Sequence, residues 1–181
     1  MTSFYSDDEL KSIGFKSIGS RVLISRKTSI YGAAQMEIGD NVRIDDFCIL
    51  SGNIKIGSNV HISAYVALYG KMGITLEEYT GISPRSTIFS AMDDFSGNYL
   101  IGPVHNSDQI NVQGGHVILK RFSQVGAHCI VFPNITIEEG AVVGAMSMVT
   151  KTVNKWSVVV GVPARFLKFR ESNLINLLKT S

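Results

Sequence analysis

Aliphatic residues return every sixth position along most of this chain, and each is followed four positions later by a small residue. Ile18 is followed in this way by Val22, Ile24 by Thr28, Ile38 by Val42, Ile44 by Cys48, Ile56 by Val60, Ile62 by Val66, Leu76 by Thr80 and Ile82 by Ser86. After a break the pattern resumes with Leu119 and Ser123, Val125 and Cys129, Ile137 and Ala141, and Val143 and Ser147; Val131, followed by Ile135, departs from it. Grouping the units in threes exposes a longer period: Ile18, Ile38, Ile56 and Leu76 recur at steps of 20, 18 and 20 residues. The rows Ile24, Ile44, Ile62, Ile82 and Ile30, Leu50, Leu68, Ile88 keep the same phase. Three short strands per coil describe a triangular prism in which each row stacks into a ladder along the axis. The expected fold is therefore all-β, a parallel β-helix whose coils pair through their backbones at ~4.8 Å. The glycines of IGS, IGD and VGA are expected to let the chain turn its corners.

Three segments fall outside the prism, which is assigned to residues 18–165. Residues 1–17 contain SDDEL, where Ser6 caps a short helix with Asp7, Asp8 and Glu9 in its first turn, and this segment is read as a lid. An excursion over 89–116 carries a long polar stretch, and loops of that length inside a compact domain are usually functional. Residues 166–181 read as a short amphipathic C-terminal α-helix that places Phe166, Leu167, Leu174, Ile175, Leu177 and Leu178 on the open end of the prism.

Composition narrows the partners. The 181 residues carry seventeen Lys plus Arg against fifteen Asp plus Glu, a net charge of +2 too small and scattered to suggest nucleic acid or a membrane surface. The polar, acidic start has neither a basic nor an apolar signal region, so a cytoplasmic protein acting on small molecules is expected. Cys48 and Cys129 offer no metal spacing and no disulfide framework, and both occupy the inward small-residue slot.

Six-residue spacing with a fixed small position resembles the hexapeptide-repeat acyltransferase superfamily, and the left-handed coil is implied by that resemblance alone. Over roughly residues 18 to 170 the chain looks like the galactoside, maltose and nodulation-type sugar O-acetyltransferases. The most specific pieces are Val142 to Lys151, of the form V-x-G-A-x-S-x-V-T-K, and the G-V-P-A-R turn from Gly161 to Arg165. The resemblance implies acetyl-CoA as cosubstrate, a homotrimer, and an active site built between two subunits. Its carry-over puts Gly126, Gly144, Ala145 and Ser147 beside the pantetheine arm, and Thr150, Lys151, Pro163, Arg165 and Lys168 at the phosphate end. Lys151, Arg165, Lys168 and Arg170 do cluster as cations suited to a multiply charged ligand, although cations near a solvated chain end also serve solubility.

On the acceptor side those sugar enzymes use a His at the start of the long loop as general base, and here Asp93 stands at that position. With an ordinary pKa near ~4 a carboxylate is a weak base toward a hydroxyl. An amine needs only to be oriented and to lose a proton as the tetrahedral intermediate collapses. Asp93 and its neighbour Asp94 are thus catalytic candidates, against the alternative that DDFSG is a capped surface turn. His61, in NVHISAYV, resembles a His near the thioester in nucleotide-linked amino-sugar acetyltransferases, and His105 lies in the long loop; both join the candidates. His116 and His128 are read as structural. Ser51, in ILSGN, matches an acceptor-contacting Ser of the galactoside enzymes, and Ser63, Tyr65 and Arg85 complete the acceptor side. Gln124 replaces the Trp those enzymes often carry, and Trp156 is expected to pack.

The leading expectation is a sugar O-acetyltransferase working through a direct ternary complex, since both cysteines point inward and no other nucleophile recommends itself. The alternative is N-acetylation of a nucleotide-linked amino sugar in surface-polysaccharide (O-antigen) synthesis. A zinc enzyme of the carbonic-anhydrase kind would need three converging His, and no bound metal is expected; a purely structural β-helix would have no use for the CoA-type residues.

Overall fold

The structure, a computed structural model, describes residues 3–178. It is a left-handed parallel β-helix with an inserted excursion and a short C-terminal helix, and the three aliphatic rows form its three inner walls. On the first wall the register runs from Ile18 through Ile38, Ile56, Leu76 and Leu119 to Ile137. On the second it runs from Ile24 through Ile44, Ile62, Ile82, Val125 and Val143 to Val159. The third joins Ile30, Leu50, Leu68, Ile88, Val131 and Val149. Almost all of these side chains are buried, and at roughly 1.5–3 kcal/mol for each full burial the ladders supply the main favourable term of folding.

The corners turn differently from the expectation drawn from glycine. Gly19, Gly39 and Gly57 have no positive φ. The left-handed non-glycine residues are instead Arg21, Asn41, Asn59, Tyr79, Phe122 and Trp156 between the first and second walls, Phe47, Tyr65, Arg85, His128 and Met146 between the second and third, and Asn134 between the third and first. A non-glycine residue there costs roughly 1–2 kcal/mol. Most of these amides are repaid by a bond to the preceding coil, as from Asn41 N to Ser20 O at 2.8 Å and from Asn59 N to Asp40 O at 2.9 Å. The glycine at Gly39 is required for a second reason: a Cβ there would lie 2.8 Å from the backbone of Gly57 and Ser58 in the next coil.

Both ends are closed. Helix α1 (Asp7–Ser12) is capped by Ser6, as expected, and the cap is a capping box, with Ser6 N donating to Glu9 Oε2 at 2.7 Å; the helix sinks Leu10 into the core. At the other end the helix expected over 166–181 is mostly absent. Arg165–Phe169 is a strand antiparallel to Ser157–Val160 of the last coil, and among the described residues of the segment only Leu174–Leu177 is helical (α2). Backbone pairing to the open edge outcompetes the helical pattern, leaving Phe166, Leu167 and Phe169 exposed. Residues 1–2 and 179–181 of the two end segments lie outside the described residues. No helix is long and apolar enough to cross a membrane among the described residues.

Candidate active site

The excursion leaves the third wall after Ile88 and begins as a hairpin, Ala91–Asp93 pairing antiparallel with Val112–Gly114 so that Asp93 faces Val112. Its root is tied by Asp94. That carboxylate accepts from Ser96 N at 2.7 Å and from Asn111 Nδ2 and Gln113 Nε2, both at 2.8 Å. These bonds, from Ser96 first, hold its carboxyl below the usual Asp range. Both carboxylate oxygens of Asp94 are thus engaged within the loop. Asp93 differs: its carboxylate makes no hydrogen bond or ion pair among the described residues and lines a cleft of about 910 Å³. Ser51, Tyr69, Lys71 and Phe89 share that cleft, with Met92, Phe95 and Val112 forming an apolar side. Tyr69 and Phe89 stack at 5.3 Å with their planes 10° apart.

A second, smaller groove of about 290 Å³ lies on the second wall and contains His61, Ser63, Tyr79, Ser83 and Gln124. His61 Nε2 is 2.8 Å from Asp45 Oδ2, and Arg43 Nε donates to the other carboxylate oxygen at 2.7 Å. Burial alone would push the Asp45 carboxyl up, but the bonds from Arg43 and His61 outweigh it and hold the group below its usual value. His61 and Asp93 therefore line separate clefts. His105 is exposed on the excursion and lines neither, so the single chain gives it no catalytic neighbours. His116 Nε2 pairs with Thr75 Oγ1 at 2.8 Å, and His128 is a left-handed corner residue.

Tyr65 and Arg85 meet on the corner between the second and third walls. Arg85 sits 4.7 Å from the Tyr65 ring, which stacks on Phe47 at 4.9 Å, and Lys27 Nζ lies over the Phe47 ring at 5.0 Å. The two groups are thus neighbours, away from the large cleft.

Gly126 and Gly144, matched to CoA binding, occupy positions on successive coils of the second wall equivalent to those of Ser63, matched to the acceptor side, and of Ser83. This run keeps side-chain bulk off the wall from the His61 groove toward the C-terminal coils. Gly126 and Gly144 are also dictated by packing, since a Cβ at Gly126 would lie 2.6 Å from Ala145 N. Ser147 is buried and accepts from Gly161 N at 2.9 Å, a structural use of its hydroxyl. Ala145, Thr150, Lys151, Pro163, Arg165 and Lys168 are exposed. Arg170 is not free for a phosphate, because its Nη1 donates to the carbonyls of Phe122 and Gly140 at 3.0 and 3.1 Å. Trp156 packs against Gly140, as expected. Burial raises both thiols, Cys48 to about 11, so neither offers a thiolate near neutral pH.

Sequence reasoning missed Tyr69, Phe89 and Asp45. Each follows an inward row residue directly (Leu68, Ile88 and Ile44), and Tyr69 and Phe89 are register partners, so extending the row analysis one position outward reveals the aromatic pair.

A family profile described as "Bacterial transferase hexapeptide (six repeats)" matches residues 35–70. Over 178 residues, 97% of this chain and 93% of the relative, the sequence is 39% identical to the dTDP-4-amino-4,6-dideoxy-D-glucose acyltransferase of Escherichia coli. The chain belongs to the hexapeptide-repeat acyltransferases. Its structure is also similar to that of AntD, an N-acyltransferase from Bacillus cereus solved in complex with dTDP and 3-hydroxybutyryl-CoA. The identity is 52% and the TM-score 0.96, with 99% of this chain and 96% of the other covered. The galactoside O-acetyltransferase of Escherichia coli K12 is 24% identical over 149 residues, covering 80% of this chain and 69% of the relative. The hexapeptide-repeat protein described here is accordingly an acyl-CoA-dependent acyltransferase.

Two expectations are corrected by these relatives. A sugar hydroxyl as acceptor is overturned, because the relatives matching nearly the whole chain are named for amino-sugar or N-acyl transfer. A carboxylate at Asp93, where those sugar enzymes carry a His, is the sequence feature that pointed toward the amine alternative. Acetyl-CoA as the specific donor is overturned as well, since AntD was solved with the larger 3-hydroxybutyryl-CoA.

Proposed function

We propose that this protein transfers an acyl group from an acyl-CoA to the amino group of a dTDP-linked 4-amino-4,6-dideoxy sugar. The observation that carries the reading is the Asp93 carboxylate, unpaired within a cleft that also holds an aromatic pair, a lysine and an apolar side. Asp93 accepts a hydrogen bond from the sugar amine and fixes its lone pair toward the thioester. Tyr69 and Phe89 offer faces to a nucleobase, Lys71 offers charge to a diphosphate, and Met92, Phe95 and Val112 suit a sugar that bears a methyl group where others carry a hydroxymethyl.

The acyl-CoA is proposed to run along the small-residue positions Ser83, Gly126 and Gly144, with Lys151, Arg165 and Lys168 near its phosphates. A homotrimer, in which the cleft of one chain meets a wall of the next, is supported by the family resemblance and by the exposed Phe95, Ile101, Val104, Phe166 and Phe169. Purified protein mixed with 3-hydroxybutyryl-CoA and dTDP-4-amino-4,6-dideoxyglucose should release free thiol and yield an amide. The same assay with the 4-hydroxy sugar nucleotide should release none, and turnover of the hydroxyl acceptor alone rejects the reading.

A further inference from the structure

The second wall has a gap in its outer surface beside the small-residue run. The residues just ahead of its inward row on successive coils are Arg43, His61, Gly81, Gln124, Val142 and Val158. Each sends a side chain outward except Gly81, which leaves a notch. The backbone does not demand a glycine there. Gly81 has no positive φ, and a Cβ added to it would meet first the Gln124 side chain, whose Oε1, Cδ and Nε2 are the three nearest atoms. Gly126, by contrast, is hemmed in by the backbone of the next coil. The Gln124 amide therefore lies over the notch as a movable cover. Its Nε2 donates to Tyr79 O at 3.2 Å, and among the described residues no donor reaches its Oε1. Gln124 is half-buried, and Asn59, Ser63, Thr80 and Ser83 share its groove, so the notch opens onto a largely polar surface.

Resting on the reading that lays the acyl-CoA along Ser83, Gly126 and Gly144, we propose that the Gly81 notch receives the acyl chain. Gln124 Oε1 then accepts the hydroxyl of a 3-hydroxyacyl group and selects it over a plain acyl group of equal length. Gly81 and Ser83 face outward on either side of Ile82, about 6.6 Å apart along the strand. A thioester carbon beside Ser83, with its chain directed at Gly81, carries a hydroxyl on the third carbon roughly 4 Å along that span, and one hydrogen bond of ~2.8 Å closes the rest. An acetyl group ends short of the notch. A butyryl group enters it but sets a methylene against Oε1, and a site built to pair a hydroxyl rejects the analogue that lacks one. The Trp that the galactoside-type enzymes often carry at this position would offer an N–H donor and no acceptor, whereas Gln124 supplies both. The cover lifts by rotation of the Gln124 side chain alone, with no movement of the wall.

Equilibrium binding of acyl-CoAs to the full-length protein needs no sugar, so it tests the donor site apart from the acceptor. Wild type should bind 3-hydroxybutyryl-CoA at least about tenfold more tightly than butyryl-CoA. Gln124→Leu removes the acceptor at similar volume and should bring the two ligands within about twofold of each other. Gln124→Glu keeps an acceptor and should keep a preference for the hydroxylated ligand. Gly81→Ala fills the notch from beneath and should weaken 3-hydroxybutyryl-CoA at least about fivefold more than acetyl-CoA. Equal binding of the two four-carbon ligands by wild type, or an undiminished preference in Gln124→Leu, overturns the role of Gln124. Equal weakening of both ligands in Gly81→Ala overturns the notch as the seat of the chain. Selective binding without amide formation from the amino sugar supports the donor site while rejecting the proposed acceptor. Failure to bind CoA itself rejects the placement of the donor and this proposal with it.

Discussion

Ile82 and Val125 are adjacent rungs of one ladder, paired in register with the whole excursion lying between them. The prism therefore resumes as though the insertion were absent, and its stability and its chemistry are carried by different segments. Replacing residues 91–114 by a short polar turn should preserve a β-rich far-ultraviolet spectrum and cooperative melting. Turnover should fall to background, because Asp93, Phe95 and Val112 leave with the hairpin. Loss of folding in that variant would show that the excursion is part of the core.

The two adjacent aspartates should separate under mutation. Asp93→Asn removes no protein contact, so its melting temperature should stay near wild type while turnover drops at least tenfold. Asp94→Ala leaves Asn111, Gln113 and the Ser96 amide without their shared acceptor, and should loosen the excursion as judged by faster hydrogen exchange across 91–114. Equal melting behaviour with equal loss of rate would contradict this division.

The three walls were legible in the sequence because each inward position must be aliphatic and each coil repeats the last. The rows from Ile18, Ile24 and Ile30 could be read without knowing a single contact. The corners were not, since a left-handed φ at Tyr79, Tyr65 or Met146 goes with a coil-to-coil hydrogen bond and not with the local preference of those side chains. Asp93 was legible as a departure from a resemblance. Its distinction from Asp94 depends on Asn111 and Gln113, which reach Asp94 only after the hairpin has closed. The strand Arg165–Phe169 was misread because an amphipathic pattern says nothing about an open sheet edge nearby.

Corner chemistry gives a pair of opposite expectations. Gly39→Ala keeps an ordinary backbone conformation but pushes a methyl to 2.8 Å from the next coil, and should cost about 1–3 kcal/mol in urea denaturation. Asn41→Gly relieves a left-handed residue while losing the amide bond from Asn41 Nδ2 to Asn59 Oδ1, and should fall within about 1 kcal/mol of wild type. A larger cost at Asn41 than at Gly39 would mean that the corner, and not the coil spacing, limits stability.

At the N-terminus, Glu9 is held down to about 2 from 4.5, chiefly by the hydrogen bonds from Arg26 and then by the Ser6 amide. A carboxylate whose folded value is depressed contributes fully above its unfolded value, and that contribution is lost as pH falls through the folded one. The anchoring of α1 through Glu9 should therefore be complete above about pH 4.5 and decline toward pH 2. Glu9→Gln should remove the dependence, and an unchanged acid profile in that variant would assign the loss to other carboxylates.

Two serines in the inward slot make the last comparison. Ser86 Oγ donates to Gly126 O at 2.7 Å and accepts from Cys129 N at 3.1 Å, linking coils on either side of the excursion. Ser123 fills the equivalent slot one corner earlier, equally buried, with no partner for its hydroxyl among the described residues. Burying an unsatisfied hydroxyl costs roughly 1–3 kcal/mol, whereas a satisfied one contributes about 1 kcal/mol. Ser123→Ala should therefore raise the unfolding free energy by about 1 kcal/mol and Ser86→Ala should lower it by a similar amount. Ser123→Ala deletes a buried donor and a small volume, while Ser86→Ala strands the Cys129 amide and the Gly126 carbonyl, so the signs should differ even though the atoms removed are the same. If Ser123→Ala proved as destabilising as Ser86→Ala, that hydroxyl must find a partner in solution, such as a buried water, and the slot would be polar by design.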